Sequence, residues 1–254
     1  MKNLEQFYQT GQSTIYETPA GTLIKVFNTQ KDFQNELCAY KFLTKKGILN
    51  TPRIISVGDG QLEIEFLEKI RESTTREIVE SIVPLYSEKE TNVFRDYDLT
   101  KEKLKHRLGY LGEEIEKRNV SPDILRRASE FVDGKYQETP SRVLVHGDLK
   151  PIHAIPTREG IKFIDFALFG KANPFYDIAF LHMAEQKDKE GTFRELINLS
   201  SPFSDLSKAE REALLQSNIF NRTLYNLGFA LRHRPDKSLE RVVKELNHIM
   251  EYPQ

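Results

Sequence analysis

The spacing of apolar and polar residues changes character near residue 70. Before that point, apolar residues fall in short β-prone runs separated by turn residues. Residues 14–27 (TIYETPAGTLIKVF) predict a hairpin that turns at Pro19, Ala20 and Gly21. Residues 54–58 and 62–67 predict two further strands around the turn dipeptide Asp59-Gly60. Between these pairs, Phe33, Leu37, Tyr40 and Leu43 recur at helical spacing, so 32–46 reads as one helix with Gly47 as its stop. The segment 1–68 is thus expected to form a small antiparallel-sheet lobe carrying one helix.

Beyond residue 70 the period is mostly helical, so 69–254 is expected to form a larger, mainly helical lobe, the division lying near 65–70. Leu104, Leu108, Leu111 and Ile115 line one face. Ser121-Pro122-Asp123 reads as a helix start, with Ser121 as N-cap and Pro122 at the first helical position. Ser207 and Glu210 read as a capping box opening a long helix to about Arg232. Ser238 reads as the cap of a last helix with Leu239, Val242, Val243, Leu246 and Ile249 inward. The helical run is interrupted by 143–166 (VLVHGDLKPIHAIPTREGIKFIDF). That block reads as a short strand (Val143, Leu144, Val145), a polar loop, a second strand, a turn at Arg158-Glu159-Gly160, and a third strand ending on Asp165. Folding the strands back brings Asp148 and Asp165 to one edge of a small sheet. Two close carboxylates suit binding of a hard cation and activation of a hydroxyl.

Composition narrows the choice. Thirty-seven Lys and Arg against 38 Asp and Glu leave a formal charge of −1, so there is no global attraction to nucleic acid. The single cysteine, Cys38, excludes an intrachain disulfide framework and fits a reducing compartment; its helical position reads as core packing. The N-terminal residues have no signal-peptide pattern, and no apolar run approaches membrane-spanning length. A cytoplasmic protein is expected. His106, His182, His233 and His248 lie in helical patterns and read as structural or exposed.

The block His146-Gly147-Asp148-Leu149-Lys150-Pro151-Ile152-His153, followed by Ile164-Asp165-Phe166, resembles the kinase-like phosphotransferase superfamily, and within it the aminoglycoside phosphotransferase and choline kinase group. Residues 173–179 (NPFYDIA) resemble that group's D-P-x-x-D-L-A segment, with Asn173 in place of the first Asp. Lys25 on a strand and Glu36 on the helix eleven residues later match the small lobe of the same superfamily. The resemblance spans nearly the whole chain and implies a protein-kinase-like bilobal α+β fold.

It also implies roles. Asp148 matches the catalytic acid that orients the acceptor hydroxyl, and Asp165 the acid that holds Mg²⁺ against nucleotide phosphates. Lys25 matches the phosphate-contacting lysine and Glu36 the acid that positions it. Residues Thr10-Gly11-Gln12-Ser13-Thr14 stand where a phosphate-covering loop belongs, with Ser13 and Thr14 offering backbone N–H groups. Backbone near Glu65 and Leu67 matches the hinge that holds the nucleobase. His146 is expected to brace the loop, and Asp177 to support it from behind.

Two departures stand out. His153 replaces the usual Asn and is expected to bind metal or phosphate through an imidazole nitrogen. Lys150, in an L-K-P sequence closer to protein kinases, places a positive charge by the transferring phosphoryl group. The expected activity is transfer of the γ-phosphate of ATP or GTP to a hydroxyl of a small molecule, such as an aminoglycoside, sugar or amino-alcohol. The twelve residues from Asp165 to Asp177, without an A-P-E sequence, leave no room for a peptide-binding activation segment. Two alternatives remain: a kinase for a macromolecule (protein, cell-envelope sugar or RNA), and a non-catalytic nucleotide-binding pseudokinase.

Overall fold

A computed structural model describes residues 5–9, 12–88, 95–97, 100–118, 120–138, 143–184, 189–198, 203, 205–233 and 236–251. Thr10 and Gly11 of the expected phosphate loop lie outside the described residues. The chain divides into two compact units, Met1–Asp96 with Val143–Lys171, and Tyr97–Arg142 with Ala172–Gln254. The motif segment therefore packs with the N-terminal part of the chain.

The first unit is built on a five-stranded antiparallel sheet. Its strands are β1 (Glu5–Gln9), β2 (Ser13–Glu17), β3 (Thr22–Phe27), β4 (Ile54–Gly58) and β5 (Gln61–Glu65), in the order β1-β2-β3-β5-β4. The hairpin β2–β3 turns where expected, with Gly21 at φ 72°, a conformation that glycine adopts without strain. β1 was not legible in the pattern: it is an edge strand of largely polar residues, held by β2 on one side alone. Helix α1 (Gln30–Lys46) starts two residues earlier than expected, because the Thr29 hydroxyl accepts the Asp32 N–H and caps it. Gly47 closes α1 in the left-handed region, its N–H returning to the Leu43 carbonyl. Cys38 is half-buried rather than in the core. Helix α2 (Thr75–Tyr86) opens with a reciprocal box between Thr74 and Glu77 and buries Ile78, Val79, Ile82 and Leu85.

The motif segment contributes β7 (Val143–Val145) and the hairpin of β8 (Ala154–Thr157) and β9 (Gly160–Phe163). The last strand of the block ends at Phe163, two residues before Asp165, which sits in the left-handed region instead of in the ladder. Short strands β6 (Arg95–Asp96) and β10 (Gly170–Ala172) join β7 in a third sheet of order β6-β10-β7. The Ile70 N–H bonds the Pro156 carbonyl, and the Ser73 hydroxyl bonds the Ala154 carbonyl, tying the segment after β5 to β8.

The second unit is helical: α3 (Lys101–Lys117), α4 (Asp123–Gly134), α5 (Phe175–Ala184), α6 (Lys189–Asn198), α7 (Lys208–His233) and α8 (Asp236–Glu251). The stripe Leu104, Leu108, Leu111 and Ile115 is buried as its spacing predicts. Two helix starts differ from expectation. α4 begins at Asp123, leaving Pro122 at the cap position without a side-chain bond, while Ser121 Oγ accepts only the Asp123 N–H at 3.4 Å. α8 begins at Asp236, which puts Ser238 inside its first turn. The Ser207–Glu210 box forms as expected, at 2.7 and 3.2 Å. No helix among the described residues is long and apolar enough to cross a membrane.

Candidate active site

Strand β3 points Lys25 into the interior, where the residue is 6% exposed. Glu36 sits on the buried face of α1 at 1% exposure. Lys25 Nζ donates to both Glu36 oxygens, at 3.0 and 2.7 Å, and to Asp165 Oδ1 at 2.9 Å. One ammonium thus joins two carboxylates, one of them 140 positions away. Burial pulls the Lys25 pKa down, but the two acids outweigh it and hold it above the usual lysine value. Burial pushes Glu36 up to about 7 against the pull of Lys25. For Asp165, burial pushes upward too, yet Lys25 and then His153 outweigh it and hold the carboxyl at about 2.

Asp165 has φ 66° and ψ 63°, a conformation that costs a non-glycine residue strain and is found where a side chain must be aimed. The following 3₁₀ turn, Phe166–Leu168, is anchored by packing: the Phe166 ring lies 5.3 Å from Tyr40, 5.8 Å from Phe169 and 4.6 Å from His146. It is also held by Asn35, whose Nδ2 donates to the carbonyls of Phe166, Ala167 and Phe169 at 3.3, 2.8 and 3.2 Å. Asn35 escaped the sequence reading, since nothing local distinguishes it from any polar helix residue.

Across from this turn lies the loop after β7. Gly147 adopts φ 88°, and a Cβ there would meet the Leu168 carbonyl oxygen at 1.9 Å, so only glycine fits. His146 is fully buried. Its Nε2 lies 2.8 Å from the Ile164 carbonyl oxygen, an acceptor only, so Nε2 carries the hydrogen and Nδ1 accepts the Asp148 N–H at 3.4 Å. Burial presses its pKa down to about 3, so the ring is neutral and braces the loop, as expected.

His153, at the end of the 3₁₀ turn Pro151–His153, obeys the same logic in reverse. Its Nδ1 lies 2.8 Å from the Asp148 carbonyl oxygen and must donate to it. Its Nε2 then faces Asp165, whose Oδ2 is 3.5 Å away. One ligand atom each from Asp148, His153 and Asp165 fall within 4.8 Å of one another. Two carboxylate oxygens and an oriented imidazole nitrogen form a donor set that suits a divalent cation. Lys150 Nζ lies 2.7 Å from Asp148 Oδ2, half-exposed beside it.

The remaining candidates are placed less directly. Ser13 opens β2 with its side chain buried, opposite Phe27, and Thr14 follows it opposite Val26. The Glu65 N–H is taken by the Arg53 carbonyl at 3.0 Å, and its carboxylate by Lys162 at 2.6 Å, so this residue offers no free donor to a base. Leu67 lies two residues beyond the end of β5. In the second unit, Asn173 Oδ1 caps α5 by accepting the Phe175 N–H at 2.8 Å, and Asp177 is fully buried in the first turn.

Residues 19–200 match the phosphotransferase enzyme family. The chain belongs to that family. A search of curated proteins finds no significant match to this phosphotransferase. Among solved structures it is similar to the gentamicin complex of APH(2″)-IIa, at 16% identity and a TM-score of 0.70, over 97% of this chain and 91% of that one. It is similar to the ADP-bound aminoglycoside phosphotransferase APH(2″)-Ib, again at 16% identity and 0.70, over 99% and 95%. It is also similar to choline kinase from Cryptosporidium parvum Iowa II, at 14% identity and 0.61, over 98% and 88%. At these identities the likeness establishes the fold, which is the kinase-like α+β fold that the order of motifs implies. As a member of that family, the protein is a phosphotransferase enzyme.

Proposed function

We propose that this phosphotransferase moves the γ-phosphate of ATP or GTP onto a hydroxyl of a small molecule. The observation that carries the reading is the single buried ammonium of Lys25, bound at once to Glu36 and to Asp165, with Asp148 and His153 beside it. Phosphoryl transfer needs positioning and charge neutralisation more than covalent chemistry. Lys25, oriented by Glu36, contacts the nucleotide phosphates. Ser13 and Thr14 cover them, and backbone near Leu67 holds the base. Asp165 and His153 would hold Mg²⁺, which when bound neutralises charge on the transferring group. Asp148 orients the acceptor hydroxyl through the oxygen that Lys150 leaves free and takes its proton; Lys150 offsets charge on the departing phosphoryl oxygens. In this reading residues 1–68 form the nucleotide-binding lobe, and 69–254 carry the catalytic loop and the acceptor pocket, shaped by 70–140 and 200–235. The near-neutral charge and lone cysteine support a cytoplasmic enzyme that uses no nucleic-acid partner.

Labelled ATP and GTP, each offered with panels of sugars, amino-alcohols, antibiotics and generic proteins, test the reading. Label on a small molecule that disappears in Asp148→Asn, while nucleotide binding persists, is the expected result. Label confined to protein would overturn the acceptor class, and binding without turnover would turn the reading to a pseudokinase.

A further inference from the structure

Within the helical unit, α7 breaks its own pattern. Its face at Asn218, Asn221, Arg222 and Tyr225, spaced by three and four residues, is polar, beside a stripe that buries Leu215, Ile219, Phe220, Leu224 and Leu227. Arg222 lies over two rings, its Cζ 4.2 Å from the Phe180 centroid on α5 and 4.8 Å from that of Tyr225. Arg107, from α3, lies 5.9 Å from the same Tyr225 ring and donates through Nη1 to Asn221 Oδ1 at 3.0 Å. Neither guanidinium meets a carboxylate, and Arg222 makes no side-chain hydrogen bond, among the described residues. Burial lowers the pKa of Arg107, and the groups facing it are Tyr176, Tyr225 and Tyr136 together with the second cation, Arg222.

Two cations sharing one ring, without an acid, repel each other and are stabilised by an anion between them. The Phe180 and Tyr225 rings lie against the Arg222 guanidinium, whose N–H donors make no hydrogen bond among the described residues, and such a fork can grip a carboxylate or phosphate with two bonds. Tyr225 is 50% exposed, so solute can reach the place. A pocket for a polycation needs the opposite lining, of acids.

We propose that Arg107 and Arg222 form an anion-binding site of the helical unit, which takes a small solute carrying a carboxylate or phosphate group.

Calorimetric titration without nucleotide tests it, using gluconate for a carboxylate, glucose 6-phosphate and inorganic phosphate for a phosphate, and kanamycin for a polycation. Saturable binding of the carboxylate or of the phosphates, weakened about tenfold or more in Arg222→Gln and Arg107→Gln, is expected, and whichever class binds identifies the anion. Arg222→Lys, which keeps the charge and loses the fork, should bind between wild type and Arg222→Gln. Melting temperatures of all variants accompany the titrations. If Arg222→Gln does not fold, Tyr225→Leu serves in its place, since it removes the ring both arginines share. Anion affinity unchanged in the variants, no anion bound at high millimolar concentration, or kanamycin bound in preference, would each overturn the site. Anion binding without nucleotide turnover on any acceptor would instead remove the kinase reading and leave the anion site standing.

Discussion

Replacing Gly147 with alanine should damage the enzyme through both stability and geometry. The residue has φ 88°, and the added Cβ would lie 1.9 Å from the Leu168 carbonyl oxygen and 2.6 Å from its carbon. Reaching an ordinary contact of 3.4 Å requires a displacement of about 1.5 Å, the difference between the two distances. The left-handed conformation costs an L-residue about 1–2 kcal/mol. Crowding a packed site costs about 1–3 kcal/mol more. The total is about 2–5 kcal/mol, which for a chain of this size lowers the melting temperature by roughly 10 °C. The segments that must separate are those that carry Asp148 and Asp165, and an error of about 1 Å in such a pair reduces turnover about a hundredfold. Gly109 on α3 supplies the control: a Cβ there meets nothing within 4 Å, and Gly109→Ala should stabilise the helix by up to about 1 kcal/mol. Scanning calorimetry and steady-state turnover of both variants decide the matter. A Gly147→Ala protein that melts and turns over like wild type would refute the argument that this close approach aligns the two acids.

Lys25→Met should cost about 3–5 kcal/mol in urea denaturation, because it strands the buried Glu36 carboxylate without its cation. Lys25→Met combined with Glu36→Leu should recover most of that stability and none of the turnover. Asn35→Ala removes the amide that binds three carbonyls of the turn after Asp165; it should lower stability by about 1–3 kcal/mol and kcat more than the unfolding loss explains, which a comparison of kcat well below the melting temperature would reveal. Thr74→Ala breaks the α2 cap and should cost about 1 kcal/mol, read as a small fall in melting temperature with turnover unchanged. His146 has a folded pKa of about 3 against an unfolded value near 6.5, so it favours the folded state fully above the latter. Between these values only the unfolded state takes up its proton, so His146 withdraws about 2 kcal/mol of stability from pH 7 to pH 5, while Glu36, raised to about 7 in the folded state, adds a similar amount by taking up its own; the two separate when urea midpoints of wild type and His146→Asn are compared across that range, and an identical pH dependence would contradict a buried neutral ring.

Much of the site was legible because the physics involved is local. His146, Gly147, Asp148 and His153 lie in one tight loop whose turn chemistry shows in its residues. Lys25 and Glu36 were paired through the resemblance to the kinase-like superfamily, and the structure joins them at 2.7 Å. The helix ends Gly47 and Ser207 were legible for the same reason. Where local rules compete, the reading slipped. Thr29 starts α1 before its apolar stripe begins, and Pro122 and Ser238 stand one or two places from where capping preferences put them. Glu65 ends β5 with its N–H bonded to the Arg53 carbonyl and its carboxylate to Lys162, contacts that local spacing does not encode.

The amino-acid order by itself determined the periodicities, the turns, the family-bearing motifs and the two acids, since each depends on residues a few positions apart. Only tertiary structure decided that Asp165 reaches Lys25, that Asn35 clasps the turn behind it, that the His153 ring is turned by the Asp148 carbonyl, and that Arg107 and Arg222 share one tyrosine. Those contacts join positions up to 140 apart. Closing such long loops is an outcome of whole-chain packing, which no local spacing encodes.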